Sequence, residues 1–248
     1  MATERTVENQ LRKDINDQRR RAVLLACWLG IPAVIAASFL LPMGIPFWAL
    51  LLYAAFRAAN NAGSPERLRG AIGEERALEV LAKLPQEYVI YNQVKLPDSR
   101  SRTGYREADF IVIGPNGLFV VENKDFRGTI VGTGEDAKWE QHKVGRGGTP
   151  YVTYARNPVR QVQVYVSLLA KLFSSKGIKA WIMTPIVSLS RDNCIDQIRS
   201  DRVRVIQGTD LCEVILGYKQ KLAPKVKEEI ITIMEELRQN DEIQGTPA

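Results

Sequence analysis

An aspartate, a glutamate and a lysine in this sequence have the types and the spacing needed to hold one cation. Asp109 lies in one β-rich run of residues, and Glu122 and Lys124 lie in the next run along the chain. Carboxylate oxygens are the ligands that hard cations such as Mg²⁺ and Mn²⁺ prefer. These three residues are therefore the first candidates for a functional site.

The turn between the two runs predicts which residues face each other. Gly-Pro-Asn-Gly at 114–117 is a typical hairpin signal. If the two glycines close the turn, Asp109 faces Glu122, and directly opposed residues of an antiparallel pair have Cβ atoms about 4.5–5.5 Å apart. Lys124 comes two residues after Glu122 and so points to the same side of its strand.

The predicted acidic pair lies among aliphatic residues, with Ile111 and Val120 on the same face. Two carboxylates placed there repel each other, so at least one is expected to take up a proton or to share a cation. Two alternatives stay open. The acids could belong to a surface face with ordinary alternating charges, and a register slip of one residue would turn every side chain to the other face.

The elements that must position these residues form an α/β pattern. Ser64-Pro65 and Asn157-Pro158 each combine an N-cap residue with a first-turn proline, and each is followed by apolar residues at helical spacing. The order is α-β-β-β-α-β with a C-terminal extension. The predicted helices cover 64–84, 157–173, 210–216 and 224–238, and the predicted strands cover 88–96, 107–113, 118–124, 128–131, 178–189 and 203–207.

The composition excludes several classes of site. The chain has 248 residues, with one His and three scattered Cys. These cannot form a two-His zinc site, a CxxC pair or an even-numbered disulfide framework, so a reducing compartment is expected. No Gly-Lys dipeptide occurs, which excludes the GxxxxGK[ST] phosphate loop. The net charge of +6 is a mild basic bias and not a strong nucleic-acid signature.

A run of 35 uncharged residues begins at Ala22. As one straight helix it would be about 52 Å long, whereas the hydrocarbon core of a bilayer is about 30 Å thick. Prolines and a glycine near 42–46 interrupt the run, so the sequence predicts a transmembrane helical hairpin over 22–58. Basic residues flank both ends, which favours an inner or plasma membrane location with both ends in the cytoplasm. A cleaved signal peptide is the alternative, but the apolar run is too long for one.

An ordered set of short motifs in this sequence resembles that of a known protein family. It resembles the NERD (nuclease-related) domain, a branch of the PD-(D/E)xK, restriction-endonuclease-like superfamily, over roughly residues 70–189. The motifs are Gly73-Glu74, Glu107-Ala108-Asp109-Phe110, Val121-Glu122-Asn123-Lys124, Gly128-Thr129-Ile130, Trp139, and Asn157-Pro158 with Gln161.

The resemblance implies a metal-dependent site that cleaves phosphodiesters. In such a site Asp109 and Glu122 bind Mg²⁺ or Mn²⁺, and Lys124 orients or activates the attacking water. Glu74 corresponds to an additional acidic position that also contacts metal, and Gln161 with Tyr165 resembles the QxxxY element of exonuclease-like branches. The sequence departs from the family pattern in having Asn on one side of Lys124 and Asp on the other.

Together these features predict four segments in an α/β protein with a restriction-endonuclease-like core. They are a basic cytoplasmic segment at 1–21, the membrane segment at 22–58, a nuclease-like domain at 64–217, and a C-terminal helix and tail at 218–248. The expected function is a membrane-anchored nuclease that faces the cytoplasm and acts on nucleic acid, with DNA favoured and no organic cofactor. Two alternatives remain: a catalytically silent module that binds nucleic acid or a partner, and a structural protein whose acids form a salt-bridged face.

Overall fold

The computed structural model describes residues 3–5, 65–178, 183–189 and 197–244, together with the isolated positions Arg20, Arg21, Leu24, Trp28 and Tyr53. The chain divides into two compact units, one made of residues 1–7 and 73–248 and the other of residues 8–72. The predicted membrane segment, 22–58, lies outside the described residues apart from those isolated positions. Among the helices that are described, none has the length and apolar character required to cross a bilayer.

The described elements keep the predicted order and add strands to it. The helices are α1 (Pro65–Leu81), α2 (Pro158–Ser175), α3 (Leu211–Leu216) and α4 (Pro224–Gln244), and a 3₁₀ turn at Gly208–Asp210 precedes α3. The strands are β1 (Thr3–Arg5), β2 (Val89–Pro97), β3 (Tyr105–Gly114), β4 (Gly117–Lys124), β5 (Thr129–Thr133), β6 (Lys138–Val144), β7 (Pro150–Arg156), β8 (Met183–Leu189), β9 (Ile198–Arg199) and β10 (Arg204–Gln207).

Six strands form the main sheet, in the order β1-β2-β3-β4-β8-β10. The central strands β2, β3 and β4 form an antiparallel meander. The outer pairs are parallel: β1 with β2, β8 with β4, and β10 with β8. A parallel neighbour needs a crossover connection, and here α2 lies within the connection from β4 to β8. The predicted α-β-β-β-α-β core is thus present, as part of a mixed α/β fold.

The β3–β4 hairpin has the register that the turn predicted. Gly114 pairs with Gly117, and the ladder continues without a slip to Phe110 opposite Val121. The turn is anchored from outside, because the Asn116 side chain accepts a hydrogen bond from the Tyr88 hydroxyl and donates to the carbonyl of Ile215. The alternative of a register slip is therefore wrong.

Each face of the main sheet is covered by its own apolar cluster. On one face α2 packs against residues such as Ile111 and Val120, and α4 adds Ile230 to the same cluster. On the other face Phe119 packs with residues of α1 and α3, among them Leu81. The C-terminal helix, which the sequence set apart, shares the core of the domain.

A second sheet is the part of the fold that the sequence did not predict. It has the strand order β7-β6-β5-β9, and its main part, β5-β6-β7, lies between β4 and α2 in the chain. Only β5 was expected, at 128–131. The strands β6 and β7 carry polar and charged residues at most positions, so they lack the apolar alternation that marks a half-buried strand.

Two buried polar side chains hold the second sheet together and join it to α2. The Trp139 indole, which is fully buried, donates to the carbonyl of Thr133 at 2.8 Å. Asn157 caps α2 through Val159 N at 2.9 Å, and its amide nitrogen donates to three carbonyls in the β5–β6 connection. The predicted N-cap is therefore confirmed, and it also holds the turn of the neighbouring sheet in place.

One residue of β2 has an unfavourable backbone conformation. Gln93 has a φ of 50°, in the left-handed region, although it lies between the regular pairs Asn92–Phe110 and Val94–Ala108. For residues other than glycine this region costs roughly 1–2 kcal/mol. The strain lies at the position of β2 opposite Asp109.

We expect Gln93→Gly to be more stable than Gln93→Ala by up to about 1 kcal/mol. Both variants remove the side chain, but only glycine tolerates the positive φ, and this outweighs its greater loss of entropy on folding. Urea denaturation of the full-length protein, followed by circular dichroism, measures the difference. The same pair of changes at Lys95, which has a regular partner in Glu107, should give the opposite order. If alanine is also the better residue at position 93, the strain is absent.

Candidate functional site

Asp109 lies where the β3–β4 ladder ends. The last backbone pair is Phe110–Val121, and beyond it the Asp109 carboxylate accepts a hydrogen bond from the backbone N–H of Asn123 at 2.7 Å. Asp109 was expected to face Glu122 directly, and the ladder does not reach that pair. The two strands separate at this point, so the backbone N–H of Asn123 bonds to the Asp109 side chain and not to the backbone of β3.

Glu122 and Lys124 are held by the strand on the other side. Glu122 is paired with Val187 and Lys124 with Leu189 in the parallel ladder of β8. The end of β4 thus leaves β3 but stays within the sheet. Where the β3–β4 ladder ends, the Asp109 carboxylate bridges to the backbone of β4, and Glu122 beside it is completely buried.

The two oxygens of the Glu122 carboxyl group have different environments. Oε1 is bonded to the Lys124 ammonium group. Oε2 is buried and has no hydrogen-bond partner. A buried carboxylate oxygen without a donor costs free energy, so this atom is where a cation would be most strongly attracted.

Glu74 reaches the site from α1 with the help of Gln93. The Gln93 amide nitrogen donates to Glu74 Oε2 at 2.8 Å. The strained backbone of Gln93 therefore belongs to the residue that holds the third acid. Strain of this kind is often retained at functional sites. The sequence reasoning missed Gln93, because a glutamine within a predicted strand gives no sign of an unusual φ.

Gln161 and Tyr165 lie on one face of α2, as their spacing predicted. The Gln161 amide nitrogen donates to the Tyr165 hydroxyl at 2.6 Å, and Tyr165 is only 3% exposed. Burial, followed by the nearby Glu122 carboxylate, raises the pKa of Tyr165, so its hydroxyl keeps its proton. The carboxylates of Glu122 and Asp109 both raise this pKa, so the Tyr165 hydroxyl lies within electrostatic range of the acids.

Burial raises the pKa of all three acids, and the Asp109 carboxylate raises the pKa of the other two further. Burial and the Asp109 carboxylate raise the pKa of Glu122 to about 8. Burial and the same carboxylate raise the pKa of Glu74 to about 7. Burial also raises the pKa of Asp109, although the Lys124 ammonium opposes the change. Burial disfavours the charge on Lys124, but Glu122 and Asp109 outweigh this effect and raise its pKa.

The charges of the site fit a divalent cation. If all three carboxyl groups were ionised, they and the ammonium group would carry a net charge of −2, which a divalent ion would neutralise. The described residues contain no cluster of three His, Cys, Asp or Glu side chains close enough to form a complete metal site. Two carboxylates are sufficient for Mg²⁺, which usually keeps several waters and binds substrate phosphates as well. A site formed by Asp109 and Glu122 fits that role better than a site formed by all three acids.

Other candidate residues have structural roles. Arg106 binds Asp98 at 2.6 Å and holds the pKa of that carboxyl group at about 2, and Arg100 binds the same residue. These two arginines thus order the loop before β3. His142, the single histidine of the chain, lies on β6 and contacts Glu140 at 2.9 Å.

Without a cation, the acids should make stability depend on pH in an unusual direction. The pKa of Glu122 rises from 4.5 to about 8 on folding, so the folded state binds its proton more tightly. Stability is then greatest below about pH 4.5 for this group and falls as the pH approaches 8. We expect Glu122→Gln to reduce the loss of stability between pH 5 and 8 by at least about 1 kcal/mol.

Urea denaturation in EDTA at several pH values measures this slope. Glu74→Gln should flatten it as well, over a window that ends near pH 7. Glu79→Gln is the matched control, since Glu79 is an exposed acid on the same helix as Glu74. Equal slopes in the wild type and all three variants would show that the acids are not buried together.

Comparisons with known proteins identify a family to which this region is similar. The model of the NERD family, the nuclease-related domain, matches residues 69–190, a range that contains all six predicted site residues. An uncharacterized protein of Bacillus anthracis is 30% identical over 153 residues, which are 60% of this chain and 67% of that protein.

Among solved structures, protein VC1899 from Vibrio cholerae aligns with 94% of this chain at 12% identity and a TM-score of 0.30. The chain spans 58% of that protein. A likeness at this level is too weak to support an argument about fold or activity. By contrast, the family match covers the whole acidic site and both helices that border it, and this chain therefore belongs to the family of nuclease-related domain proteins, with residues 69–190 as the domain.

Proposed function

We propose that the domain is a metal-dependent nuclease that hydrolyses phosphodiester bonds, with DNA as its favoured substrate. Its site would be of the PD-(D/E)xK type. The observation that carries the proposal is the buried Glu122 carboxylate, which has one oxygen on Lys124 and the other without a partner. Such an arrangement costs stability in the absence of a cation, and a purely structural ion pair would not need Asp109 beside it.

Asp109 and Glu122 would hold Mg²⁺ or Mn²⁺, with Glu74 close by. The cation, when bound, would supply positive charge to a scissile phosphate and would acidify water next to it. Asp109 is oriented for this task by the N–H of Asn123, which fixes one of its oxygens. Glu122 is oriented by Lys124 and by the backbone ladder to β8.

Lys124 and Glu74 would handle charge and protons near the scissile bond. Lys124 carries a positive charge, so it can donate a hydrogen bond to the attacking water and offset the negative charge that develops on the phosphate. Glu74 has a pKa of about 7 and can accept or release a proton near neutral pH. Gln93 would keep it in place for that exchange.

Gln161 and Tyr165 would position the substrate. The hydroxyl of Tyr165 is buried and protonated, and it accepts its hydrogen bond from Gln161. It therefore has a donor hydrogen available for a phosphate oxygen. This is a binding role, and it needs no change in protonation.

The test is cleavage of labelled single- and double-stranded DNA and RNA by the full-length protein with Mg²⁺, with Mn²⁺ and with EDTA. We expect metal-dependent cleavage of DNA, and a loss of at least about a hundredfold in Asp109→Asn, Glu122→Gln and Lys124→Met, because each removes a charge that acts on the transition state. Glu79→Gln, an exposed change on α1, should cleave like the wild type. Circular dichroism checks that every variant is folded.

Cleavage that survives all three substitutions would mean that another site or a contaminant is responsible. If no substrate is cleaved but nucleic acid binds in a metal-dependent manner that Asp109→Asn abolishes, the domain is a silent binding module. Neither result would be compatible with the proposed catalytic roles.

We also propose that residues 22–58 anchor this domain at the cytoplasmic face of the inner or plasma membrane, with the lipid bilayer as a partner. The support is the run of 35 uncharged residues with basic residues on both sides. Anchoring would confine the nuclease activity to nucleic acid near the membrane.

Fractionation of cells that express the full-length chain tests the anchor. The protein should sediment with membranes and resist carbonate extraction, and Ile31→Arg with Val34→Arg should release it, because each charge at the centre of a span costs about 2.5–3.5 kcal/mol. Leu216→Arg, an exposed change in the domain, is the control. A wild-type protein found in the soluble fraction would contradict the proposal.

A further inference from the structure

The β6–β7 hairpin exposes an unusual amount of apolar surface. Between residues 65 and 244, the described part of the chain has six large hydrophobic side chains that are exposed, and four of them lie in this hairpin. Tyr154 is 65% exposed and Val144 is 71% exposed. Exposed apolar residues are ordinary when scattered, but a concentration of them indicates a binding surface.

Three of the four lie on one face of the sheet. Side chains alternate between the two faces of a strand, so Tyr154 and Val152 of β7 share a face, together with Val144 at the end of β6. The opposite face carries the buried residues Trp139 and Gln141. We call the exposed side the outer face. Tyr151, the fourth exposed residue, points to the opposite side near the tip of the hairpin.

The hairpin also carries much of the positive charge of the domain. Residues 138–156 contain four basic side chains and one acidic side chain. Two of the basic residues, Lys138 and Arg156, are direct partners across the strands and belong to the outer face. The acid is Glu140, which contacts His142 at 2.9 Å. Glu140 lies opposite Tyr154, and the two cations lie to one side of that pair. An exposed tyrosine with cations on one side is complementary to a base and its phosphates.

The connections of the hairpin lead to the candidate site at both ends. The chain enters the second sheet at Thr129, five residues after Lys124, and β7 ends at Arg156, five residues before Gln161. Asn157, between β7 and α2, holds the two parts together by its hydrogen bonds. Arg156 on the outer face is therefore connected through Asn157 to α2, the helix that carries Gln161.

We propose that the outer face of the β6–β7 hairpin binds single-stranded nucleic acid, with a base stacked on Tyr154 and phosphates on Lys138 and Arg156. The identity of this ligand rests on the proposed nuclease function. Unpaired bases are favoured over a duplex, because a tyrosine ring can stack on a base only where the base is accessible. The face would hold substrate, and it is separate from the catalytic residues.

Binding is measured with the full-length Glu122→Gln protein, in which cleavage is blocked, by fluorescence anisotropy of labelled oligothymidylate and of a duplex of equal length. We expect tighter binding to the single strand. Adding Tyr154→Ala should weaken it by about tenfold, since a stacked base contributes about 1–3 kcal/mol. Tyr154→Phe should keep the affinity. Adding Lys138→Ala with Arg156→Ala should reduce the slope of log K against log salt by roughly 1.4, about 0.7 for each phosphate contact.

Tyr151→Ala is the matched control, because Tyr151 is an exposed tyrosine on the same strand that points to the other side. It should leave the affinity unchanged. Equal losses in Tyr151→Ala and Tyr154→Ala, or no loss in either, would overturn the assignment of the outer face. Stronger binding to the duplex than to the single strand would overturn the stacking role of Tyr154.

Hydrolysis of bis(p-nitrophenyl) phosphate separates this inference from the proposed nuclease function. The small diester has a single phosphate and no flanking nucleotides for the hairpin to hold, so Tyr154→Ala in the otherwise native protein should hydrolyse it at the wild-type rate. If the native protein does not cleave any substrate but Tyr154→Ala still loses single-strand binding, the binding surface is supported and the nuclease function is refuted. If cleavage is present and Tyr154→Ala binds and cleaves oligothymidylate normally, the binding surface is refuted and the nuclease function is supported.

Discussion

The arrangement of this domain depends on the burial of negative charge at the point where β3 and β4 separate. Asp109 and Glu122 lie within a sheet otherwise filled by aliphatic and aromatic residues, and only Lys124 offsets their charge directly. Such burial is expensive. The fold compensates in part, through the N–H of Asn123 and the Lys124 ammonium group, and leaves Glu122 Oε2 unsatisfied. The remaining deficit is the reason that we propose a cation at this position.

The rest of the structure supports that arrangement from several sides. The parallel strand β8 keeps the end of β4 in the sheet after β3 has left it. The helix α1 and the strained Gln93 hold Glu74, and α2 contributes the hydrogen-bonded pair Gln161 and Tyr165. Because these elements belong to different parts of the chain, folding of the whole domain is required before the acids meet. A site of this kind is formed together with the core and cannot exist in a local segment.

The second sheet adds a surface to this core. Apart from β5, it is built from residues that the sequence pattern does not mark as strands. Trp139 joins β6 to β5 within it, and Asn157 joins it to the cap of α2. These two side chains are completely buried, whereas the outer face of the hairpin is open to solvent. The same inserted segment therefore has a structural side that contributes to stability and an exposed side that is available for binding.

The sequence alone determined the β3–β4 hairpin, because Gly114 and Gly117 permit a tight turn and fix the register between two apolar strands. It also determined the cap of α2 and the face that Gln161 and Tyr165 share, since both follow from helical geometry. The tertiary structure decided the rest. The strands β6 and β7 pair with each other, but their residues lack the apolar alternation that marks a strand in a sequence. The bond from Asn123 to Asp109 and the left-handed backbone of Gln93 belong to contacts between separate elements. Local spacing cannot reveal them, because their energies arise only when those elements pack together.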